Sequence, residues 1–182
     1  IWYQGESNVG YAYDYRTLFP AMINSWRSKW GRELPFYWVQ LANYMAKDVK
    51  PQRSEWAELR EAQTMTLLLP QTGQAVITDI GDGDDLHPRN KQDVGFRLAL
   101  IALNKTYGME EMTCSGPVFK SMNVIGNKVY IEYDQIGKGL CVKNKYGYIE
   151  GFSIAGANQQ FEWAQAYLDG DKVVVSSTHI TH

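Results

Sequence analysis

The stretch Ala75-Val-Ile-Thr-Asp-Ile-Gly-Asp-Gly-Asp-Asp-Leu-His-Pro88, followed by a helical run from Asn90 to Tyr107, decides the fold. Its first six residues are mostly apolar or β-branched, which predicts a buried strand. The glycine- and aspartate-rich middle predicts a loop, and Val94, Leu98 and Ile101 recur at helical spacing in the run that follows. A buried strand, a polar loop and an amphipathic helix in this order are typical of α/β folds with a parallel sheet.

The residues before this stretch repeat the alternation of strand and helix. Tyr15 to Trp30 has the apolar spacing of an amphipathic helix, and Gly31 is a suitable C-terminal cap. Phe36 to Leu41 is aromatic and β-branched, which favours a buried strand. Ser54 as N-cap predicts a helix that runs to about Leu69, and Ile1 to Gln4 has the character of a strand end.

From Ser115 onward the pattern changes to short strands separated by turns rich in glycine, asparagine and aspartate. The predicted strands are Val118 to Met122, Lys128 to Tyr133, Gly139 to Val142, Ile149 to Ile154 and Lys172 to Ser176. Strands without interleaved helices predict a separate antiparallel unit. We therefore predict an α/β segment over residues 1–112 and an antiparallel β-rich domain over residues 113–182.

Composition excludes several classes of partner. The 182 residues carry a formal net charge of -2 without a basic stripe, so we expect no nucleic-acid partner. The apolar stretches are far shorter than the roughly 20 residues of a membrane span, so we expect no membrane partner. Cys114 and Cys141 permit at most one disulfide and lack the spacing of metal ligands. We expect neither a metal nor a cofactor.

His87 is the strongest candidate for catalysis, because it lies in the polar loop between a predicted strand and a predicted helix, whereas His179 and His182 lie at the chain end. An imidazole takes a proton from a serine hydroxyl when a carboxylate holds its other ring nitrogen. Asp84 lies within one tight turn of His87, and Asp85 and Asp82 are competing acids. A loop with three aspartates also suits Ca²⁺ or a solvated surface, and the spacing of a calcium hand is missing.

A second candidate block, Trp2-Tyr-Gln-Gly-Glu-Ser-Asn8, ends the first predicted strand. Gly5 permits a sharp turn, and the amides of Gln4 and Asn8 are hydrogen-bond donors of the kind an oxyanion requires. A purely structural role for these amides, as partners of loop backbone, is the alternative. Ser7 does not fit the Gly-x-Ser-x-Gly turn of a nucleophilic serine.

Taken together, these segments resemble the sialate O-acetylesterase branch of the SGNH hydrolases, which is related to acetylxylan esterases. The likeness covers nearly the whole chain. The matching stretches are Trp2-Tyr-Gln-Gly-Glu-Ser-Asn8, Leu18-Phe-Pro20 with Trp26-Arg27, Pro35-Phe36 with Val39-Gln-Leu-Ala42, Asp85-Leu-His-Pro-Arg-Asn-Lys91, Gly151-Phe-Ser-Ile-Ala-Gly156 and Gly170-Asp-Lys-Val-Val-Val175.

The resemblance implies that a serine attacks an acetyl ester while His87 shuttles the proton. It implies that Gln4 is an oxyanion donor, that Gly5 and Glu6 support it, and that Ser7 is a loop residue. The acid of the general pattern maps onto Asp84, and that of close relatives onto Asp85. The family's serine block lies upstream of the strand with which this sequence starts, so the nucleophile is expected to be absent from these residues and to belong to a missing N-terminal segment.

The resemblance thus implies a flavodoxin-like, three-layer SGNH sandwich that is incomplete at its N-terminus and is followed by β-strands. The expected protein is a secreted or periplasmic esterase that removes acetyl groups from acetylated carbohydrates. One alternative is a non-catalytic carbohydrate-binding module, which the aromatic side chains of Tyr11, Tyr13, Tyr44 and Trp56 favour if they are exposed. Another is a segment that folds only together with the missing part.

Overall fold

The computed structural model describes residues 1–180 and contains two compact units. The first unit consists of Ile1–Lys47 and Ser54–Ser115. The second unit consists of Asp48–Arg53 and the residues from Gly116 onward. The short segment Asp48–Arg53 lies inside the predicted α/β segment but belongs to the second unit, where the Val49 carbonyl accepts a hydrogen bond from the indole N–H of Trp163 (2.9 Å).

Three α-helices and two strands form the first unit. The helices are α1 (Ala12–Trp30), α2 (Glu55–Met65) and α3 (Lys91–Lys105), and the strands are β1 (Phe36–Val39) and β2 (Thr72–Ala75). Single 3-10 turns cover Glu6–Asn8 and Thr66–Leu68. The expected caps are confirmed: Gly31 adopts the left-handed conformation (φ 65°), and the Ser54 hydroxyl accepts a hydrogen bond from the Ala57 N–H.

The sheet of this unit is parallel. β1 pairs with β2 in the register Phe36 to Thr72, and on its other side β1 forms a parallel bridge with Trp2. Trp2 donates its backbone N–H to the Tyr37 carbonyl and accepts from the Val39 N–H, both at 2.9 Å. The three segments therefore run side by side in one direction, with β1 in the middle.

Successive residues of β1 point to opposite faces of this sheet, as the pleat requires. Phe36 and Trp38 pack with side chains of α1 and α2, whereas Tyr37 and Val39 pack with side chains of α3. Helices thus cover both faces of a parallel sheet, and the predicted α/β class is confirmed.

The strand predicted at Ala75 to Ile80 is wrong in its position. The observed strand is Thr72–Ala75, and the chain turns directly afterwards, with the Ile80 N–H bonded to the Ile77 carbonyl. The residues before Ala75 are polar or glycine and lack the apolar pattern of a buried strand. Gly73 is nevertheless required at its position by the packing of α3. A Cβ atom at Gly73 would lie 2.3 Å from the Cγ2 of Ile101 in α3, so only glycine allows α3 to pack this closely.

The second unit is antiparallel. Its strands are β3 (Val118–Ile125), β4 (Lys128–Asp134), β5 (Ser153–Ile154), β6 (Glu162–Trp163), β7 (Gln165–Asp169) and β8 (Lys172–Ser176). Four of them form one sheet in the order β3-β4-β8-β7, and β5 pairs with β6. The predicted strands at 118, 128 and 172 are confirmed, as is the turn at Gly126, where φ is 58°.

Two strand predictions in this unit are wrong. Residues 139–142 form no strand, and of the stretch from Ile149 to Ile154 only Ser153–Ile154 forms a strand, although Ile149 also donates its backbone N–H to the Ala166 carbonyl. Gly139 adopts a φ of 115° that breaks an extended run. Within residues 1–180, no helix is long and apolar enough to cross a membrane. Cys114 is half-buried and Cys141 is exposed, and both are free thiols.

Candidate active site

Three parallel segments end at the same edge of the sheet of the first unit, and each is followed by polar residues. Trp2 leads to Gln4, β1 leads to Gln40 and Asn43, and β2 leads to the loop that carries His87. Because the carboxyl ends of parallel strands meet at one edge, this edge is where an open α/β sheet binds its ligand.

The His87 ring is exposed and lies beside one carboxylate. Its Nδ1 is 3.7 Å from Oδ1 of Asp85, and the same oxygen accepts the backbone N–H of His87 at 2.9 Å. Nδ1 is too far from this oxygen for a formed hydrogen bond. Asp85 also lies 3.8 Å from the guanidinium of Arg89, so the carboxylate is shared between two neighbours.

The other two aspartates of the loop shape its backbone. The Asp82 carboxylate accepts the backbone N–H of Asp84 at 3.0 Å, and Asp82 forms a bridge with Asp85. Among residues 1–180, no hydrogen bond or ion pair joins the Asp84 carboxylate to His87, whereas Asp85 lies 3.7 Å from Nδ1. The structure thus brings the alternative acid, Asp85, closer to His87 than the first candidate, Asp84; the role of either acid stays a prediction.

The loop is held in place from two sides. Gly81 and Gly83 lie against the loop after β1, where a Cβ on Gly81 would be 2.2 Å from Oδ1 of Asn43. At its start, Asp79 forms a bidentate ion pair with Arg97 of α3, at 2.6 and 2.8 Å. The hydrogen bonds that Arg97 donates to the Asp79 carboxylate raise the pKa of Arg97. The glycines and the ion pair restrict where His87 can lie.

The Gln4 side chain is oriented by its neighbours. Its Oε1 accepts from the hydroxyl of Tyr15 at 3.3 Å, and its Nε2 donates to Oδ1 of Asn8 at 2.6 Å. An amide nitrogen carries two hydrogens. Because the oxygen is held by Tyr15 and one hydrogen by Asn8, the second N–H of Gln4 has no partner among residues 1–180 and can donate to a bound group.

A buried glutamine fixes the backbone at Gln4. Gln63 in α2 is completely buried, its Nε2 donates to the Gln4 carbonyl at 3.2 Å, and its Oε1 accepts the Leu41 N–H at 2.9 Å. Gly5 adopts φ 149°, and a Cβ on it would lie 3.3 Å from Nε2 of Gln63. The single Gln63 side chain therefore joins the ends of two neighbouring parallel segments. Gln63 and Tyr15 were not predicted, because within a helical sequence they have the appearance of ordinary helix residues.

Tyr3 connects the Gln4 segment with the helix that follows His87. The ammonium of Lys91, near the start of α3, lies 5.4 Å from the centre of the Tyr3 ring. Burial, with a smaller contribution from the charge of Glu6, raises the pKa of Tyr3 to about 12. The Tyr3 hydroxyl is buried without a hydrogen-bond partner among the described residues, as is Oδ1 of Asn43.

Two other candidates are less well supported by contacts. Ser7 is exposed in the 3-10 turn after Gly5. Within residues 1–180, the Glu6 carboxylate has no hydrogen-bond or ion-pair partner, so its supporting role stays a prediction. No group of three or more His, Cys, Asp or Glu side chains in the same range is arranged to hold a metal ion. His182 lies outside the described residues.

Comparison with known proteins identifies relatives by both sequence and structure. No protein-family model matches the chain. The sialate O-acetylesterase of Mus musculus is 35% identical over 156 residues, and that of Homo sapiens is 34% identical over 147 residues. These alignments cover 74% and 70% of this chain. They cover 28% of each relative, so the chain spans little more than a quarter of the length of the curated proteins it matches.

A solved structure extends the comparison to almost every residue. A carbohydrate acetylesterase from Xanthomonas citri is 50% identical and superposes with a TM-score of 0.90, over 99% of this chain and 42% of that enzyme. Identity at this level over 99% of the chain reflects common descent. By sequence and by fold, the chain therefore belongs to the sialate O-acetylesterase branch of the esterases.

Proposed function

We propose that this chain supplies the general base and one oxyanion donor of a carbohydrate O-acetylesterase. The observation that carries the proposal is the Gln4 amide, which is held so that one N–H stays free at the sheet edge from which the His87 loop also starts. The names of the relatives support an ester hydrolase, and acetylated carbohydrate is the substrate class that their names favour.

In the proposed reaction, a serine hydroxyl attacks the acetyl carbonyl carbon and gives its proton to Nε2 of His87. The carbonyl oxygen becomes an oxyanion that accepts the free N–H of Gln4. Collapse of this intermediate breaks the bond to the sugar oxygen, which takes the proton back from His87. Water then attacks the acetyl-serine with His87 as the base, which releases acetate and restores the serine.

Asp85 is the acid that we assign to His87 in this scheme. It lies 3.7 Å from Nδ1, and catalytic hydrogen bonds often reach their full strength only in the complex with substrate. A carboxylate at Nδ1 keeps the proton on that nitrogen and leaves Nε2 free to accept the serine proton.

The serine itself is proposed to lie outside these 182 residues. Two facts support this: the chain corresponds to 42% of the Xanthomonas citri enzyme, and Ser7 is exposed rather than oriented by the Gln4 network. We propose that the complete sheet is the three-layer, flavodoxin-like sandwich of the SGNH hydrolases, in which further strands continue beyond Trp2. Among residues 1–180, no strand pairs with the side of Trp2 that faces away from β1.

The family resemblance also favours a secreted or periplasmic location. Cell fractionation of the native host, with antibody against this chain, tests that part of the proposal. Finding the protein with cytoplasmic markers would contradict it.

The oxyanion role is tested in a chimera, defined as the Xanthomonas citri enzyme with its matching region replaced by residues 1–182 of this protein. Gln4→Ala in the chimera should lower kcat about 100-fold and leave KM nearly unchanged, because the donated bond matters once negative charge develops. Gln52→Ala is the control, since within residues 1–180 the side chain of Gln52 hydrogen-bonds only to Asp48, in an exposed loop. An effect on KM alone would contradict the oxyanion role.

A further inference from the structure

The four-stranded sheet of the second unit has two faces of different chemistry. One face carries apolar side chains that form the core of the unit, among them Ile131, Val173 and Val175. The opposite face, here called the tyrosine face, is defined by two rows of side chains that the strand register places side by side.

The central row of the tyrosine face consists of Asn123, Tyr130, Val174 and Tyr167, one residue from each strand. The adjacent row consists of Ser121, Glu132, Lys172 and Asp169. Tyr130 and Tyr167 are two strands apart, which separates their backbones by about 10 Å. Val174 lies between them and is completely buried. Val174 therefore contributes no accessible surface, and the aromatic surface of the face belongs to Tyr130 and Tyr167.

The surface at this position is concave. A cavity of about 480 Å³ is lined by members of both rows together with Ile125 at the end of β3. Small-molecule sites have volumes in this range. The lining consists of Tyr130 and Ile125 together with five polar side chains, so the cavity has the size of a site for a polar ligand of one to a few rings.

The charges of the face are largely compensated. Lys172 forms an ion pair with Glu132 at 2.6 Å, and the ammonium of Lys128 donates to the Tyr167 hydroxyl at 3.2 Å. Among residues 1–180, the side chains of Asn123 and Asp169 line the cavity without a side-chain hydrogen bond, and Asp169 interacts with the charges of Lys128 and Lys172. A face without a surplus of positive charge does not favour the binding of a polyanion. Its amide and carboxylate groups can hydrogen-bond to the hydroxyl groups of an uncharged ligand, and its phenol rings can stack on the rings of that ligand.

We propose that the tyrosine face binds an uncharged oligosaccharide. The sugar rings stack on Tyr130 and Tyr167, and their hydroxyls bond to Asn123 and Asp169. The site lies in the second unit and uses none of the residues proposed for ester hydrolysis, so it goes beyond the proposed function. It would hold a glycan chain whether or not that chain is being deacetylated.

The test measures the Kd of the full 182-residue chain for xylohexaose, an uncharged probe, and for hexagalacturonate, an anionic probe of the same length. Titration followed by NMR shows which backbone amides shift. Tyr130→Ala and Tyr167→Ala should each weaken xylohexaose binding about 3- to 10-fold, the loss typical of one aromatic contact. Phe161→Ala is the matched control, because Phe161 is an exposed aromatic residue of the same unit that belongs to neither row of the face.

A further variant keeps the test decisive if a tyrosine variant does not fold. Should a tyrosine variant lose its native circular dichroism, Asn123→Ala on the exposed edge strand β3 replaces it and should also weaken binding several-fold. Unchanged Kd in these variants, or equal binding of hexagalacturonate, overturns the proposal. Binding that is lost in His87→Ala but retained in the tyrosine variants would place the glycan at the proposed active site and also overturn it, without affecting the proposed hydrolase role.

Discussion

Two histidines of this chain pair with carboxylates in nearly the same way. His87 lies 3.7 Å from Asp85, and His179 lies 3.5 Å from Glu162, and both rings are about 80% exposed. Proximity to a carboxylate therefore does not by itself distinguish a catalytic imidazole from an ordinary surface ion pair. The difference is position, because only His87 follows a strand of the parallel sheet and shares its edge with a preoriented amide.

The identity of the acid is tested by replacing each aspartate with its amide in the chimera. Asp85→Asn should lower kcat about 1,000- to 10,000-fold, because an amide at this position favours the wrong tautomer of His87. The Asn oxygen still accepts the His87 backbone N–H, so the loop is retained. Asp84→Asn should have little effect on steady-state hydrolysis of an acetyl ester. The reverse pattern would show that Asp84 is the acid.

The buried hydroxyl of Tyr3 makes stability depend on alkaline pH. Its pKa in the folded protein is about 12, above the value near 10 of an unfolded chain. The unfolded state therefore loses this proton first, and the contribution to stability that is present below about pH 10 is lost as the pH rises to about 12. Tyr3→Phe removes this contribution without breaking a hydrogen bond, since the hydroxyl has no partner among the described residues.

Denaturant unfolding at several values of pH measures this effect. Between about pH 10 and 12, the free energy of unfolding should fall less steeply in Tyr3→Phe than in the unmodified chain. Tyr13→Phe, whose ring is exposed, is the control and should follow the unmodified chain. Identical slopes in all three proteins would show that Tyr3 does not retain its proton in this way.

The candidate residues were predictable only in part from sequence. Gln4 precedes Gly5 at the end of one apolar stretch, and His87 lies in the polar loop with Gly81 and Gly83 that follows another, and this local signal identifies them. Tyr15 and Gln63 lie within helices, where their side chains fit the pattern of helix faces. Their role in orienting Gln4 arises from contacts between residues distant in sequence, which no local pattern records.

At the scale of the elements, β2 shows why one strand was misplaced. A run of apolar residues predicts a strand whose own side chains are buried. β2 has no such run and is buried because α3 packs closely against Gly73. The confirmed elements are those with a strong periodic signal, such as α1 and α3, or a glycine turn between apolar strands, such as β3 and β4. The strand β7 was not predicted, because its Ala166 and Leu168 give only a short alternation.

Alanine substitutions at two glycines should change the free energy of unfolding in opposite directions, because one glycine lies where α3 packs on β2 and the other lies on the exposed side of α3. Gly73→Ala should lower the free energy of unfolding by about 1–3 kcal/mol, because the new methyl group would meet Ile101, which is buried. Gly95→Ala in the exposed interior of α3 has open space and should raise stability by up to about 1 kcal/mol. Thermal or denaturant unfolding measures both. A neutral Gly73→Ala would contradict the close contact between α3 and β2.

At the scale of the whole molecule, the two units are proposed to have separate tasks. The first carries the proposed base and oxyanion donor, and the second carries the tyrosine face. The chain corresponds to 28% of the mammalian relatives and to 42% of the Xanthomonas citri enzyme. A proposed hydrolase whose serine lies outside these residues should show no acetyl-ester turnover as an isolated chain, because a base and an oxyanion donor alone do not form an acyl-enzyme.

The most direct measurement of the central claim is acetyl-ester hydrolysis by the chimera with and without His87. The unmodified chimera should hydrolyse an acetylated chromogenic ester, and His87→Ala should lower kcat about 1,000-fold or more while the circular dichroism spectrum stays the same. His179→Ala, which removes an equally exposed histidine beside a carboxylate, should leave kcat unchanged. An active His87→Ala chimera, or an inactive His179→Ala chimera, would contradict the assignment of His87 as the general base.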